Sequence, residues 1–108
     1  MKKQTETQLV KTCLEWLHIM GIFAWRNNTG AFAREDKGRR RFVRYGEKGS
    51  ADIIGVGKQG RFLSVECKLP GRRQTPDQVA FQKKIEDNGG WYYLVHDLDE
   101  LRSFFEDP

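Results

Sequence analysis

A chain of 108 residues, 38% hydrophobic and 31% charged, allows one polar globular domain over residues 1–108 and no second core. No apolar run approaches the ~20 residues of a membrane span, and two cysteines, Cys13 and Cys67, make neither a disulfide framework nor a four-ligand zinc site. The net charge is only +4, yet residues 26–48 hold eight basic against three acidic side chains, an excess that suits a polyanion such as nucleic acid or else forms a solvated loop.

The polar start of the chain leads into an amphipathic pattern and not into a signal-peptide core, which together with the cysteine usage predicts an intracellular protein. The spacing predicts a helix over residues 6–20. Thr5 and Gln8 have capping-box spacing, and Leu9, Val10, Cys13, Leu14, Trp16, Leu17 and Met20 recur at the helical period. Gly21 is placed to stop it. Glu6 lies at the N-terminal end of the apolar face, where the helix dipole favours a carboxylate. Residues 22–26 read as a short strand, and Asn27, Asn28, Thr29 and Gly30 supply turn chemistry. Residues 31–34 and 41–45 form either an arginine-rich hairpin around Lys37 and Gly38 or a mobile loop.

Residues 51–56 and 61–69 read as two strands of a hairpin joined by the turn 57–60. On the second strand Leu63, Val65, Cys67 and Leu69 face one way, and Phe62, Ser64, Glu66 and Lys68 the other. Residues 70–73 break the strand. Thr75, Pro76 and Gln78 then fit the N-cap, N1 and N3 positions of a helix running to about residue 87 or 88, with Phe81 and Ile85 inward. Residues 91–95 are strong β-formers. Asp97 and Glu100 cap a last short helix with Leu98, Leu101, Phe104 and Phe105 as its apolar contacts. This order predicts an α/β fold, a central mixed sheet flanked by helices.

The chemistry-bearing pattern is Asp52 followed by Glu66-Cys67-Lys68. Glu66 and Lys68 share a strand face, and the hairpin lets Asp52 converge on them near the strand ends. Two carboxylates ~5 Å apart repel by roughly 3 kcal/mol at an effective dielectric of ~20, a cost that a cation relieves. Mg²⁺ suits the need, with one or two carboxylates, waters and phosphate oxygens as ligands, and the backbone carbonyl of Cys67 is a further candidate. The chemistry that follows is metal-assisted hydrolysis. Lys68 can position water or offset transition-state charge, but with a reference pKa of ~10.4 it is a poor base unless its surroundings depress that value. Gly49, Ser50 and Ala51 give close backbone access before Asp52, Gly55 leaves space on the strand, and Gln78 opens a helix whose N-terminus can face the same site. The spacing alone also suits a solvated hairpin face.

Gly49-Ser50-Ala51-Asp52-Ile53-Ile54-Gly55, then Val65-Glu66-Cys67-Lys68, then Thr75-Pro76-Asp77-Gln78, with Glu6 on the first helix, resemble a stand-alone VRR-NUC domain of the PD-(D/E)XK nuclease superfamily. The resemblance runs from Glu6 to the strand at 91–95. Ala51 stands where the superfamily's name has a proline. The resemblance implies a restriction-endonuclease-like core and a Mg²⁺-dependent DNA phosphodiesterase in which Mn²⁺ substitutes. Asp52 and Glu66 would bind the metal, Lys68 would be the catalytic lysine, Gln78 would support the site and Glu6 would be an auxiliary metal residue. Small VRR-NUC proteins of phage and bacterial type act as homodimers on branched DNA such as Holliday junctions, and a two-fold dimer supplies the two symmetric cuts a four-way junction needs.

Arg26, Asn27 and Asn28 either contact phosphates or form a turn that caps the first strand. Arg39, Arg40, Arg41 and Arg44 are candidate DNA contacts, with Tyr45 a stacking candidate. Arg72 and Arg73 either clamp the DNA backbone or stay solvated. His18 reads as a helix-surface residue and His96 as a strand end, and the two cysteines read as core. Two other functions stay open: a nucleic-acid-binding module without catalysis, and a nuclease of ordinary duplex.

Overall fold

Local chemistry sets the first helix. Thr5 Oγ1 accepts from the Gln8 backbone N–H at 3.1 Å, and Gln8 Oε1 accepts from the Thr5 N–H at 2.8 Å. This reciprocal cap opens α1 (Glu6–Ile19), which buries Leu9, Val10, Cys13 and Leu17. Met20, expected on the apolar stripe, caps the helix instead and is largely exposed. His18 points outward, and its Nε2 lies 2.8 Å from the Ala24 carbonyl, tying the helix end to the next strand. The structure is a computed structural model and describes residues 3–106. The start of the polar lead-in, residues 1 and 2, lies outside them.

Six strands follow: β1 (Phe23–Arg26), β2 (Gly30–Asp36), β3 (Arg39–Tyr45), β4 (Ile53–Val56), β5 (Phe62–Cys67) and β6 (Trp91–Val95). The main sheet has the order β1-β4-β5-β6. Its pairs are antiparallel except β5 with β6, which are parallel and joined across α2 (Pro76–Asp87). β5 is central, and Leu63 through Cys67 are buried on both faces. On one face Val65, Cys67 and Val95 pack with α1 and with Leu101 of α3 (Leu98–Glu106). On the other, Tyr92 and Leu94 pack with Phe81 and Ile85 of α2. The expected mixed sheet flanked by helices is the observed architecture. Among the described residues no helix is long and apolar enough to cross a membrane.

Two of the boundaries that differ from expectation bear on the site. β4 starts at Ile53 and β5 ends at Cys67, so Asp52 and Lys68 stand just outside the strands. The cause is a substitution in the ladder: the Asp52 carboxylate, not a strand carbonyl, takes the Cys67 N–H at 2.8 Å.

The arginine-rich segment is a hairpin. β2 and β3 form a separate two-stranded sheet, paired from Gly30 with Tyr45 to Asp36 with Arg39. Lys37 and Gly38 both have positive φ, 53° and 77°, as the two-residue turn matched to strand twist requires. The radius of gyration is 15.7 Å, above the ~13 Å of a compact domain of about 100 residues. The extents of 56 × 42 × 25 Å fit a body carrying an arm.

Candidate metal centre

Three elements bring carboxylates together. Ile53 pairs with Val65 in the antiparallel ladder, so one step further sets Asp52 opposite Glu66 on the same face. Glu6 arrives from the first turn of α1, where the helix dipole favours its negative charge. One carboxylate oxygen from each of Glu6, Asp52 and Glu66 lies within 4.8 Å of the others.

Glu66 is the unusual member. It is 1% exposed, and neither carboxylate oxygen has a hydrogen-bond partner among the described residues. A buried ionised carboxylate without partners is costly. Burial first, then the neighbouring Asp52 carboxyl, pushes Glu66 up to about 9, and Glu6 adds to the rise while the Lys68 ammonium offsets part of it. Without a cation, Glu66 therefore holds a proton at neutral pH. A divalent ion among the three carboxylates would replace that proton and satisfy the orphaned oxygens, and hard oxygen donors of this kind are what Mg²⁺ and Mn²⁺ take. The residues present fit the group.

Backbone geometry bears on the candidate fourth donor, the Cys67 carbonyl. In extended chain a residue's N–H and C=O leave on the same side. The Cys67 N–H goes to Asp52, so its carbonyl leaves toward the same edge. Lys68 donates its N–H to the Val95 carbonyl at 2.9 Å. The extended geometry thus runs one residue past β5 and keeps half-buried Lys68 on the face of Glu66.

The other residues singled out in the sequence are placed as follows. Gln78 is at N3 of α2, where its Oε1 accepts from the Thr75 N–H at 2.8 Å, so its carbonyl is committed to the capping box. Asn27 holds the chain before Asp52: its Nδ2 donates to Ser50 Oγ at 2.6 Å and to the Ala51 carbonyl at 2.9 Å. Exposed Arg26 ends β1 opposite Ile53. Arg39, Arg40, Arg41 and Arg44 are exposed on β3, and Arg72 and Arg73 are exposed in the loop before α2. Among the described residues none of these arginines forms an ion pair with Glu6, Asp52 or Glu66.

Sequence reading missed the surroundings of Glu66. Tyr92 is buried on its face of the sheet, and its hydroxyl accepts from Gln74 Nε2 at 3.1 Å, which also donates to Gln82 Oε1 at 3.0 Å. Burial, then the Glu66 carboxylate, push the Tyr92 phenol up. The parallel register of β5 with β6 is the signal that places Tyr92 there, and it is not visible before the strands are paired. No family model matches the chain, and no curated protein matches it.

Proposed function

We propose that this chain is a divalent-metal-dependent DNA endonuclease on a PD-(D/E)XK core of the VRR-NUC kind. The single observation that carries the reading is Glu66, fully buried, without a hydrogen-bond partner at either oxygen among the described residues, and clustered with Asp52 and Glu6. An ionised carboxylate in that condition is destabilising, and it is relieved by the proton it holds in the metal-free fold or by a cation that replaces that proton.

In this reading Asp52, Glu66 and the Cys67 carbonyl hold Mg²⁺ or Mn²⁺, with Glu6 as an auxiliary ligand. The bound ion supplies Lewis acidity toward a phosphoryl oxygen and a more acidic water. Lys68 lies close enough for its charge to be felt at Glu66, and there it would offset charge that develops on the phosphate in the transition state. Gln78 supports the site only through its free amide nitrogen, since its oxygen is used by the helix cap.

DNA as the substrate is supported by the arm. Residues 30–45 carry six basic and two acidic side chains, so the arm alone accounts for the whole net charge of +4. Its exposed Phe32, Phe42 and Tyr45 interleave with the arginines, the mixture that single-stranded or unstacked bases favour. That composition favours branched DNA over plain duplex, and a homodimer would supply paired cuts.

The test is cleavage of junction, flap, nicked and linear substrates with Mg²⁺, Mn²⁺ or EDTA. Metal-dependent cutting, strongest on the branched substrates, is expected. Glu66→Ala and Lys68→Ala should each lower it at least about a hundredfold while binding in EDTA survives, because even groups behind a metal ligand are worth about ten- to a hundredfold. Salt-dependent binding with no cutting under any metal would instead make the chain a binding module.

A further inference from the structure

Asn27 sits in a basic, turn-forming stretch and reads from sequence as a DNA contact or a simple strand cap. Its hydrogen bonds say something more specific. The Asn27 N–H donates to the Asp52 carbonyl at 2.8 Å, extending the β1–β4 ladder by one step. Its side-chain Nδ2 donates to the Ala51 carbonyl at 2.9 Å and to Ser50 Oγ at 2.6 Å. A carbonyl can only accept, so the amide orientation is set by its partners. One residue thus binds three consecutive residues that end in Asp52.

Apart from Asn27, the chain it binds is held by the Ser50 N–H on the Glu47 carbonyl at 3.1 Å and by buried Ala51 packing with Phe81 and Tyr92, neither of which holds the Ala51 carbonyl. Residues 50–52 precede β4 and belong to no strand. Just upstream, Gly49 has φ 76° and presses against the Asp77 carbonyl, with no room for a Cβ. The chain is therefore pinned at Gly49 by backbone contact and at 50–52 by Asn27. The Asp52 carboxylate, in turn, is bonded to the Cys67 N–H.

We infer that Asn27 is a positioning residue that fixes the Asp52 carboxylate against Glu66 for divalent-cation binding, and that it is not a DNA ligand. The inference rests on the metal-centre reading above. Removing the amide frees the 50–52 backbone, leaves the Ala51 carbonyl without this donor, and lets Asp52 drift from the other two carboxylates. Partners behind a metal ligand are typically worth about ten- to a hundredfold in affinity.

The experiment is a Mn²⁺ titration followed by the electron paramagnetic resonance signal of free Mn²⁺, on the wild-type chain, Asn27→Ala and Ser50→Ala. Binding of a fluorescent branched DNA in EDTA is measured alongside. Asn27→Ala should weaken Mn²⁺ binding at least about tenfold and leave DNA affinity in EDTA unchanged. Ser50→Ala removes one of the two acceptors of the Asn27 amide and should weaken Mn²⁺ binding a few-fold, which keeps the test available if Asn27→Ala fails to fold by circular dichroism. Wild-type Mn²⁺ affinity in both variants overturns the inference, as does a loss of DNA binding with Mn²⁺ affinity intact. A wild-type chain that binds no Mn²⁺ removes the metal-centre reading itself, and with it the role assigned to Asn27.

Discussion

Glu66 stores a conflict that ordinary folding would remove. It is buried beside two other carboxylates with no donor to satisfy it among the described residues, while replacing it by an apolar residue would relieve the cost. Its titration gives a signed expectation. In the metal-free fold its pKa is raised to about 9, chiefly by burial, whereas in the unfolded chain it lies near the usual ~4.3. Between those values the native state holds a proton that the unfolded state has released, so the contribution of Glu66 to stability is greatest at low pH and is lost as pH rises toward 9. In EDTA the thermal midpoint should drop by several degrees from pH 6 to pH 9, and Mn²⁺ should raise it more at pH 8 than at pH 6. A flat metal-free profile, or equal metal shifts at both pH values, would contradict the assignment. The triad residues were legible in the sequence because acid and lysine spacing survives without coordinates. The unsatisfied state of Glu66 was not, since it depends on α2 and β6 covering that face.

Elements divide the work. The short strands and capped helices were legible from local chemistry: Thr5 with Gln8 and Thr75 with Gln78 form the capping boxes their spacing implied. The limits of β4 and β5 were not, because an Asp52 side chain replaces a ladder bond. The hairpin was ambiguous in sequence because Arg39, Arg40 and Arg41 lack strand-like apolar alternation. Pairing resolves it: Phe32 with Val43 and Gly30 with Tyr45 share a face, while Ala33 with Phe42 occupies the other. Phe42 is 76% exposed, more than a side chain in a packed sheet would be. Replacing Arg39, Arg40 and Arg41 together by Ala should cut DNA affinity and lower the log–log salt slope by up to about 3, at about 0.9 per phosphate contact. Mn²⁺ binding should not change, because the arm lies outside the carboxylate cluster. An unchanged salt slope would place the DNA elsewhere on the molecule.

At the scale of the whole molecule, one sheet separates two layers of helix, and the carboxylates gather at its end where α1 begins and β4 has not yet started. The sheet is incompletely covered. Phe23 and Trp25 of β1, Val56 of β4 and Phe62 of β5 are exposed, and the register puts them on one face. That bare face was not legible in the sequence, because it follows from α2 packing over β6 and leaving the β1 side open. The arm and the carboxylate cluster are separate features, so charge and chemistry can be tested independently. The most direct test is calorimetric titration of the chain with Mn²⁺ at pH 7.5, in buffers of different ionisation enthalpy, alongside Glu66→Gln. The wild type should bind saturably and release about one proton per ion, and the variant should show neither. No saturable binding by the wild type, or the same binding by Glu66→Gln, would contradict the metal centre.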